Sequence, residues 1–277
     1  MFKNSQLKRL LRASLLLFPP LYWWAVYYEP SHPKRVNIPL SQLPPRLSSV
    51  LAGKKITQIS DLHCHRISRL EERALKIAEE SKSDFMVLTG DFFDYSGRIE
   101  GVEEFIKRLN APSGIYAVTG NVDTCCNDSW EKFFQSTRNR VNYLLDCSVR
   151  LDWGNGPVHL VGLNDPGWFD PDNSLERGRE LLGRIPESEP KIVLAHQPDW
   201  AVLMEEFSLD LMLCGHTHGG QFRLPFGLNF YKQSAAVKKY PHGLYKVGRG
   251  ALYVSSGIGT SDVRMRLGAP PEVVVIG

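Results

Sequence analysis

Cysteine is scarce and odd in number. Cys64, Cys125, Cys126, Cys147 and Cys214 match no zinc-knuckle spacing. A chain of 277 residues can bury a large core without covalent staples. An excess of one charge is also missing. With 33 Lys and Arg against 30 Asp and Glu, the net charge is +3, too small to argue for a nucleic-acid partner. Long apolar runs are nearly absent, and there is no internal repeat or low-complexity tract. The rest, 43% hydrophobic and 23% charged, suits one globular domain of ordinary α/β size with a short appendage.

The one long uncharged run is Ala13 to Tyr28, preceded by Lys3, Lys8, Arg9 and Arg12. It is short of the roughly 20 residues of a spanning helix, and Pro19-Pro20 would kink it. Tyr22, Trp23, Trp24, Tyr27 and Tyr28 resemble an interfacial aromatic belt. No small-residue cleavage site follows, which disfavours a cleaved signal peptide. A monotopic or re-entrant anchor, a true span and a buried core helix all remain open, with membrane attachment preferred. The expected organisation is an anchor over residues 1–30, a proline-containing linker over 31–53 and a catalytic domain over 54–277.

In that domain, short apolar runs end in polar loops. Ile56–Ile59 leads to Asp61-Leu62-His63, where strand alternation would set Asp61 and His63 on one side. Phe85–Leu88 leads to Gly90-Asp91-Phe92-Phe93-Asp94, and Ile115–Val118 to Gly120-Asn121-Val122-Asp123. Helical spacing follows at Arg69–Lys82, Glu103–Leu109, Asp128–Thr137 (expected to form a small lid) and Ser174–Leu182. Ile192–Ala195 ends in His196, and the run Leu209–Leu213 ends in Gly215-His216-Thr217-His218. Open α/β sheets place sites at the carboxyl ends of their strands, so these loops are expected to converge.

The converging set is Asp61, His63, Asp91, Asn121, His196, His216 and His218. Seven oxygen and nitrogen donors exceed the needs of one cation. Two divalent cations sharing a carboxylate would use them and could clamp a phosphoryl transfer. Mixed carboxylate, amide and imidazole donors suit Mn, Fe or Zn, and Mn is the expected pair. Cys64 and Cys214 lie in the same loops, which favours a reducing compartment.

These five motifs, in this order, resemble the calcineurin-like metallophosphoesterase family from about Lys54 onward. The resemblance implies a four-layer α-β-β-α sandwich. It implies that Asp61, His63 and His218 hold one metal, that Asn121, His196 and His216 hold the other, and that Asp91 bridges them. Asp94 and Asp123 would stand behind the ligands and orient them. Asp91, Asn121 and His196 are the expected catalytic residues.

One position departs from the family pattern. The histidine usual after the asparagine is Val122, which can neither donate a proton nor steady a phosphate. A nucleoside monophosphate leaves as an anion unaided, since its second pKa is about 6. An alkoxide would want general-acid help worth typically ~10²–10⁴ in rate. Val122 therefore tilts the expectation toward pyrophosphate linkages or activated diesters. The stretches Gly219–Phe226, Gly243–Tyr245 and Ser256–Thr260 resemble a bacterial membrane-anchored branch that includes enzymes splitting UDP-2,3-diacylglucosamine into lipid X and UMP. That implies a lipid-linked nucleotide or phospholipid substrate at the inner membrane, with the domain on its cytoplasmic face. The alternatives are a general lipid or nucleotide phosphodiesterase, and a membrane-tethered binding protein with a vestigial site. Arg264 and Arg66 are the foremost candidates for substrate anions, with Arg69 and Arg266 behind them. Phe92, Phe93, Trp168 and Phe169 could line an acyl groove, although core packing is the commoner role. His65 reads as a loop residue or a support for the ligands.

Overall fold

The computed structural model describes residues 19–165, 171–223, 235–261 and 263–277. Two six-stranded mixed sheets stack face to face. The first runs β1 (Lys34–Ile38), β12 (Glu272–Ile276), β2 (Ile56–Ile59), β3 (Phe85–Thr89), β4 (Ile115–Val118) and β5 (Val141–Tyr143). The second runs β10 (Gly243–Val247), β11 (Gly250–Val254), β9 (Leu211–Cys214), β8 (Lys191–Leu194), β7 (Pro157–Gly162) and β6 (Cys147–Asp152). Strands β2 to β5 are parallel to one another, as are β7, β8, β9 and β11. Every residue of β2, β3, β4, β8, β9 and β11 is buried, as expected of strands covered on both faces.

The inter-sheet core is Ile56, Phe85, Val87, Val118, Leu160, Ile192, Leu194, Leu211 and Leu213 with their neighbours. Helices cover both outer faces. Arg69–Ser81, Glu100–Arg108 and Asn127–Thr137 bring Ala74, Leu75, Phe105, Ile106 and Phe133 onto the first sheet. Pro171–Gly183 and Val202–Glu206 bring Leu182, Leu203 and Met204 onto the second. Local chemistry sets where Arg69–Ser81 begins and ends. The Ser68 hydroxyl accepts from Leu70 N at 3.2 Å, and Glu71 Oε2 accepts from Ser68 N at 2.8 Å, a reciprocal N-terminal cap. Lys82 closes the helix in the left-handed region, with φ 49°.

Four expectations change. Residues 31–53 are not a free linker, because Lys34–Ile38 pairs in parallel with β12 and Leu47 is wholly buried. Pro45 opens the helix Pro45–Val50, where a missing N–H costs nothing. Asp61 and His63 do not extend a strand. β2 stops at Ile59, and both residues turn into the left-handed region, with φ 51° and 42°. Phe92 and Phe93 are fully buried among Trp130, Phe133 and Tyr143, so they are core and not groove. Phe133 locks the helix Asn127–Thr137 into that cluster, which removes the reading of a lid. Trp168 and Phe169 lie outside the described residues.

Of the aromatic run, the described part begins at Pro19. It is helical to Ser31, widening into a π turn over Trp24–Tyr28. Ala25 is buried against Met265, whereas Leu21, Trp23, Trp24 and Tyr27 are exposed. No helix among the described residues is long and apolar enough to cross a membrane.

Candidate metal centre

The loops after β2, β3, β4, β8 and β9 meet at one edge of the sandwich. His63 Nε2 stands 3.2 Å from His218 Nε2, and His218 Nε2 stands 3.5 Å from Asp61 Oδ1. On the other side, His196 Nε2 lies 3.1 Å from Asn121 Oδ1 and 3.2 Å from His216 Nδ1. Asp91 joins the two groups, its Oδ2 lying 3.5 Å from His63 Nε2 and 3.4 Å from His196 Nε2. All seven side chains singled out in the sequence are therefore together.

Main-chain carbonyls aim the imidazoles. Nδ1 of His63 donates to Phe93 O and Nδ1 of His196 to Thr89 O, each at 2.8 Å. Both Nε2 lone pairs then point inward, as a metal requires. The backbone is bent to the same end. Asp61, His63, Asp91, His216 and His218 all have φ between 42° and 69°. Such angles cost a non-glycine residue energy and mark functional sites. Close approach also demands glycine at two points. A Cβ on Gly120 would meet Asp91 Oδ1 at 2.2 Å, and one on Gly215 would meet Asp61 Oδ2 at 2.3 Å.

Burial, and after it the charge of His196, pushes His216 down to about 3. Burial, and after it His63, also lowers His218. Both are thereby driven to the neutral form that binds metals. Burial opposes ionisation of Asp91, but the imidazole of His196 foremost, then His63 and His216, overcome it and hold the carboxyl well below the usual range. His196 is lowered by burial and raised more strongly by Asp91, so it binds a proton tightly. A cation in the same place would displace that proton. These donors fit divalent cations. Two trios, Asp61 with His63 and His218, and Asp61 with Asp91 and His196, each bring ligand atoms within 4.8 Å of one another.

The supporting residues differ from expectation. Asp123 acts on the backbone of the ligand loops. Its carboxylate accepts from Phe92 N and Gly120 N, both at 2.8 Å, tying the Asp91 loop to the Asn121 loop. Burial and then Asp91 push its pKa up to about 8. Asp94 accepts from Ser96 and lies 3.0 Å from His65 Nδ1. Val122 is 2% exposed, so its side chain is packed away, while its N–H donates to Asp91 Oδ1 at 2.9 Å. Arg264 is exposed, with Nη2 against His65 Nε2. Arg66 is exposed on the turn before the helix Arg69–Ser81.

Arg266, weighed as an anion ligand, is wholly buried. It donates to Ala269 O and Ser256 O at 2.8 Å and approaches His218 Nδ1 at 3.4 Å. Burial lowers its pKa to about 10. Arg266 therefore braces the back wall of the centre. Sequence reasoning also missed Glu29, which accepts from Ala269 N and Trp24 Nε1 at 2.7 Å. Its partner lies 240 residues away, so no local pattern announces it.

Residues 54–220 match the model of the calcineurin-like phosphoesterase family. The chain belongs to that family. It is accordingly a hydrolase of phosphoric esters. Among its relatives, the uncharacterized metallophosphoesterase YkoQ of Bacillus subtilis is 30% identical, over 79% of this chain and 81% of that one. Phosphodiesterase YaeI of Escherichia coli is 30% identical, over 80% and 81%. UDP-2,3-diacylglucosamine pyrophosphatase LpxG of Chlamydia muridarum is 26% identical, over 95% and 94%. Among solved structures, TT1561 of Thermus thermophilus is 14% identical with a TM-score of 0.46, over 74% of this chain and 90% of that one.

Proposed function

We propose that the chain is a dinuclear hydrolase that cleaves a phosphoanhydride or phosphodiester in a membrane-associated substrate. The best candidate reaction converts UDP-2,3-diacylglucosamine to UMP and 2,3-diacylglucosamine 1-phosphate. The observation carrying the dinuclear reading is Asp91 Oδ2, poised between His63 and His196 at 3.5 and 3.4 Å. Asp61, His63 and His218 would hold one cation, Asn121, His196 and His216 the other, and Asp91 both. Manganese is the expected metal, with iron or zinc as alternatives. When bound, the pair activates water and neutralises charge developing on the phosphoryl oxygens.

The chain's own residues prepare the site. The Phe93 and Thr89 carbonyls fix the inward imidazole nitrogens. His216 N donates to both oxygens of Asp61, at 3.0 and 3.1 Å, and so keeps that carboxylate turned toward the centre. Burial keeps competing water away and strengthens each electrostatic contact. With Val122 packed away, the residue after Asn121 offers no side-chain acid. That supports a substrate whose leaving group departs as an anion, and a nucleoside monophosphate qualifies.

The exposed Leu21, Trp23, Trp24 and Tyr27 support an interfacial seat for the N-terminal segment. In this reading the domain rests on the cytoplasmic face of the inner membrane. The relationship to the Chlamydia enzyme supports the lipid-linked nucleotide, and the relationship to the Escherichia coli enzyme supports the broader diester class. The test is UMP release from UDP-2,3-diacylglucosamine by full-length protein loaded with Mn²⁺. His196→Ala should abolish release with an unchanged circular dichroism spectrum. Full metal occupancy without UMP would remove this substrate, and a panel of lipid and nucleotide diesters would then identify the class.

A further inference from the structure

The first sheet carries the aromatic segment to the metal edge. β1 runs parallel to β12, and β12 runs antiparallel to β2. β1 therefore points against β2, and its first residue, Lys34, lies at the end where β2, β3 and β4 deliver their ligand loops. The helical residues Pro19–Ser31 come directly before it.

A cleft of about 920 Å³ opens between that segment and the chain from Leu267 to Pro270, within the roughly 300–1,000 Å³ of small-molecule sites. None of the seven metal-centre donors lines it. One wall is apolar and built of stacked rings. The centroids of Trp24 and Tyr28 lie 4.3 Å apart, and those of Tyr28 and His32 3.9 Å apart. The rest of the lining is positive. Lys34 and Arg223 both face the cleft, and neither has an ion-pair partner among the described residues. Arg223 spends its Nε on Gly219 O at 2.7 Å, which leaves both Nη groups for a ligand. Glu29, the one acid among the described lining residues, is buried and already committed. Its Oε1 accepts from Ala269 N and its Oε2 from Trp24 Nε1, each at 2.7 Å.

An apolar ring wall beside two unneutralised cations fits a ligand that joins hydrocarbon to an anion. A soluble anion would leave the rings unused. A neutral lipid or an apolar partner helix would leave Lys34 and Arg223 without counter-charge. The exposed Leu21, Trp23 and Tyr27 continue the apolar wall outward, as interfacial residues do.

We infer that this cleft binds one anionic phospholipid of the membrane, its phosphate on Lys34 and Arg223 and its chains along the Trp24–Tyr28 wall, at a site apart from the metal centre. This rests on the interfacial seat proposed above and is independent of which substrate is cleaved. It adds recognition of a single lipid molecule to attachment at a surface.

The experiment titrates full-length protein by calorimetry with dihexanoyl phosphatidylglycerol, kept monomeric, and with dihexanoyl phosphatidylcholine as control. One phosphatidylglycerol should bind per chain, and phosphatidylcholine about tenfold more weakly. Arg223→Gln should weaken phosphatidylglycerol about tenfold or more, and Lys34→Gln about fivefold. Both variants should keep the wild-type melting temperature and leave phosphatidylcholine unchanged. Trp24→Ala should weaken both lipids alike. Equal binding of the two lipids by wild type, or phosphatidylglycerol affinity that survives the Lys34→Gln/Arg223→Gln double variant, overturns the assignment. Affinity that rises or falls with Mn²⁺ loading would put the lipid phosphate at the metal centre and overturns the separate site. Sedimentation with phosphatidylglycerol vesicles separates the two readings. Vesicle binding without monomer binding overturns the lipid site and keeps the interfacial seat, whereas binding to neither overturns both.

Discussion

The Nε2 atoms of His63 and His218 face one another at 3.2 Å across stacked rings. His63 already spends its Nδ1 proton on Phe93 O, and burial, then His63 itself, drives His218 neutral. Two imidazole nitrogens facing each other in this pose gain more from a shared cation than from each other. Dialysis against a chelator is therefore expected to lower the melting temperature, and Mn²⁺ to restore it. At a hundredfold excess over Kd, one site contributes about 2.7 kcal/mol. Differential scanning calorimetry with and without metal checks this, and a transition indifferent to both treatments contradicts it.

The cysteines should divide by burial. Burial, reinforced by Glu71, pushes the Cys64 thiol up to about 12, and burial also raises Cys214. Cys125 and Cys147 are exposed. Reactivity follows the accessible thiolate, so iodoacetamide at pH 8 is expected to label Cys125 and Cys147 in the folded protein. Cys64 and Cys214 should react only after denaturation. Peptide mass spectrometry reads the outcome, and early labelling of Cys214 would contradict it.

Glu272 sets an acid limit on stability. It is 3% exposed and accepts from His242 Nε2 at 3.0 Å, Tyr253 OH at 2.9 Å and Ser256 N at 3.0 Å. Burial raises its pKa, but the bond from His242 and the other donors outweigh burial and lower it below 4.5. A carboxyl depressed on folding adds stability that is fully present above its unfolded pKa. That stability is lost as pH falls through the folded value. Glu272→Gln is expected to cost about 2 kcal/mol at neutral pH and to flatten the acid side of the stability curve below about pH 4.5. Urea unfolding across that range measures it. Equal slopes in variant and wild type would refute the assignment.

Much of this was legible in the sequence. Short apolar runs ending in Asp, Asn and His announced parallel strands with a site at their carboxyl ends, and the seven donors do meet there. Asp61 and His63 are grouped by something other than the strand pattern. Strand alternation does not place them; left-handed turns do, and no side-chain pattern reports a backbone angle. The segment 31–53 misled because its prolines resemble a linker's, while its pairing partner β12 stands at the far end of the chain. Arg266 looked like one more basic residue in a polar loop. Its burial depends on carbonyls gathered from Ser256 to Ala269 in three dimensions, and composition is silent on that.

The pairing of Lys34–Ile38 with Glu272–Ile276 has a practical corollary for anyone shortening this protein. A fragment starting at Lys54, where the family match begins, would strip away β1 and leave the all-buried Glu-Val-Val-Val-Ile strand as a bare border. Unpaired amides beside a run of valines recruit other strands readily. Such a fragment would be prone to clumping before its chemistry could be assayed, even with every metal ligand intact.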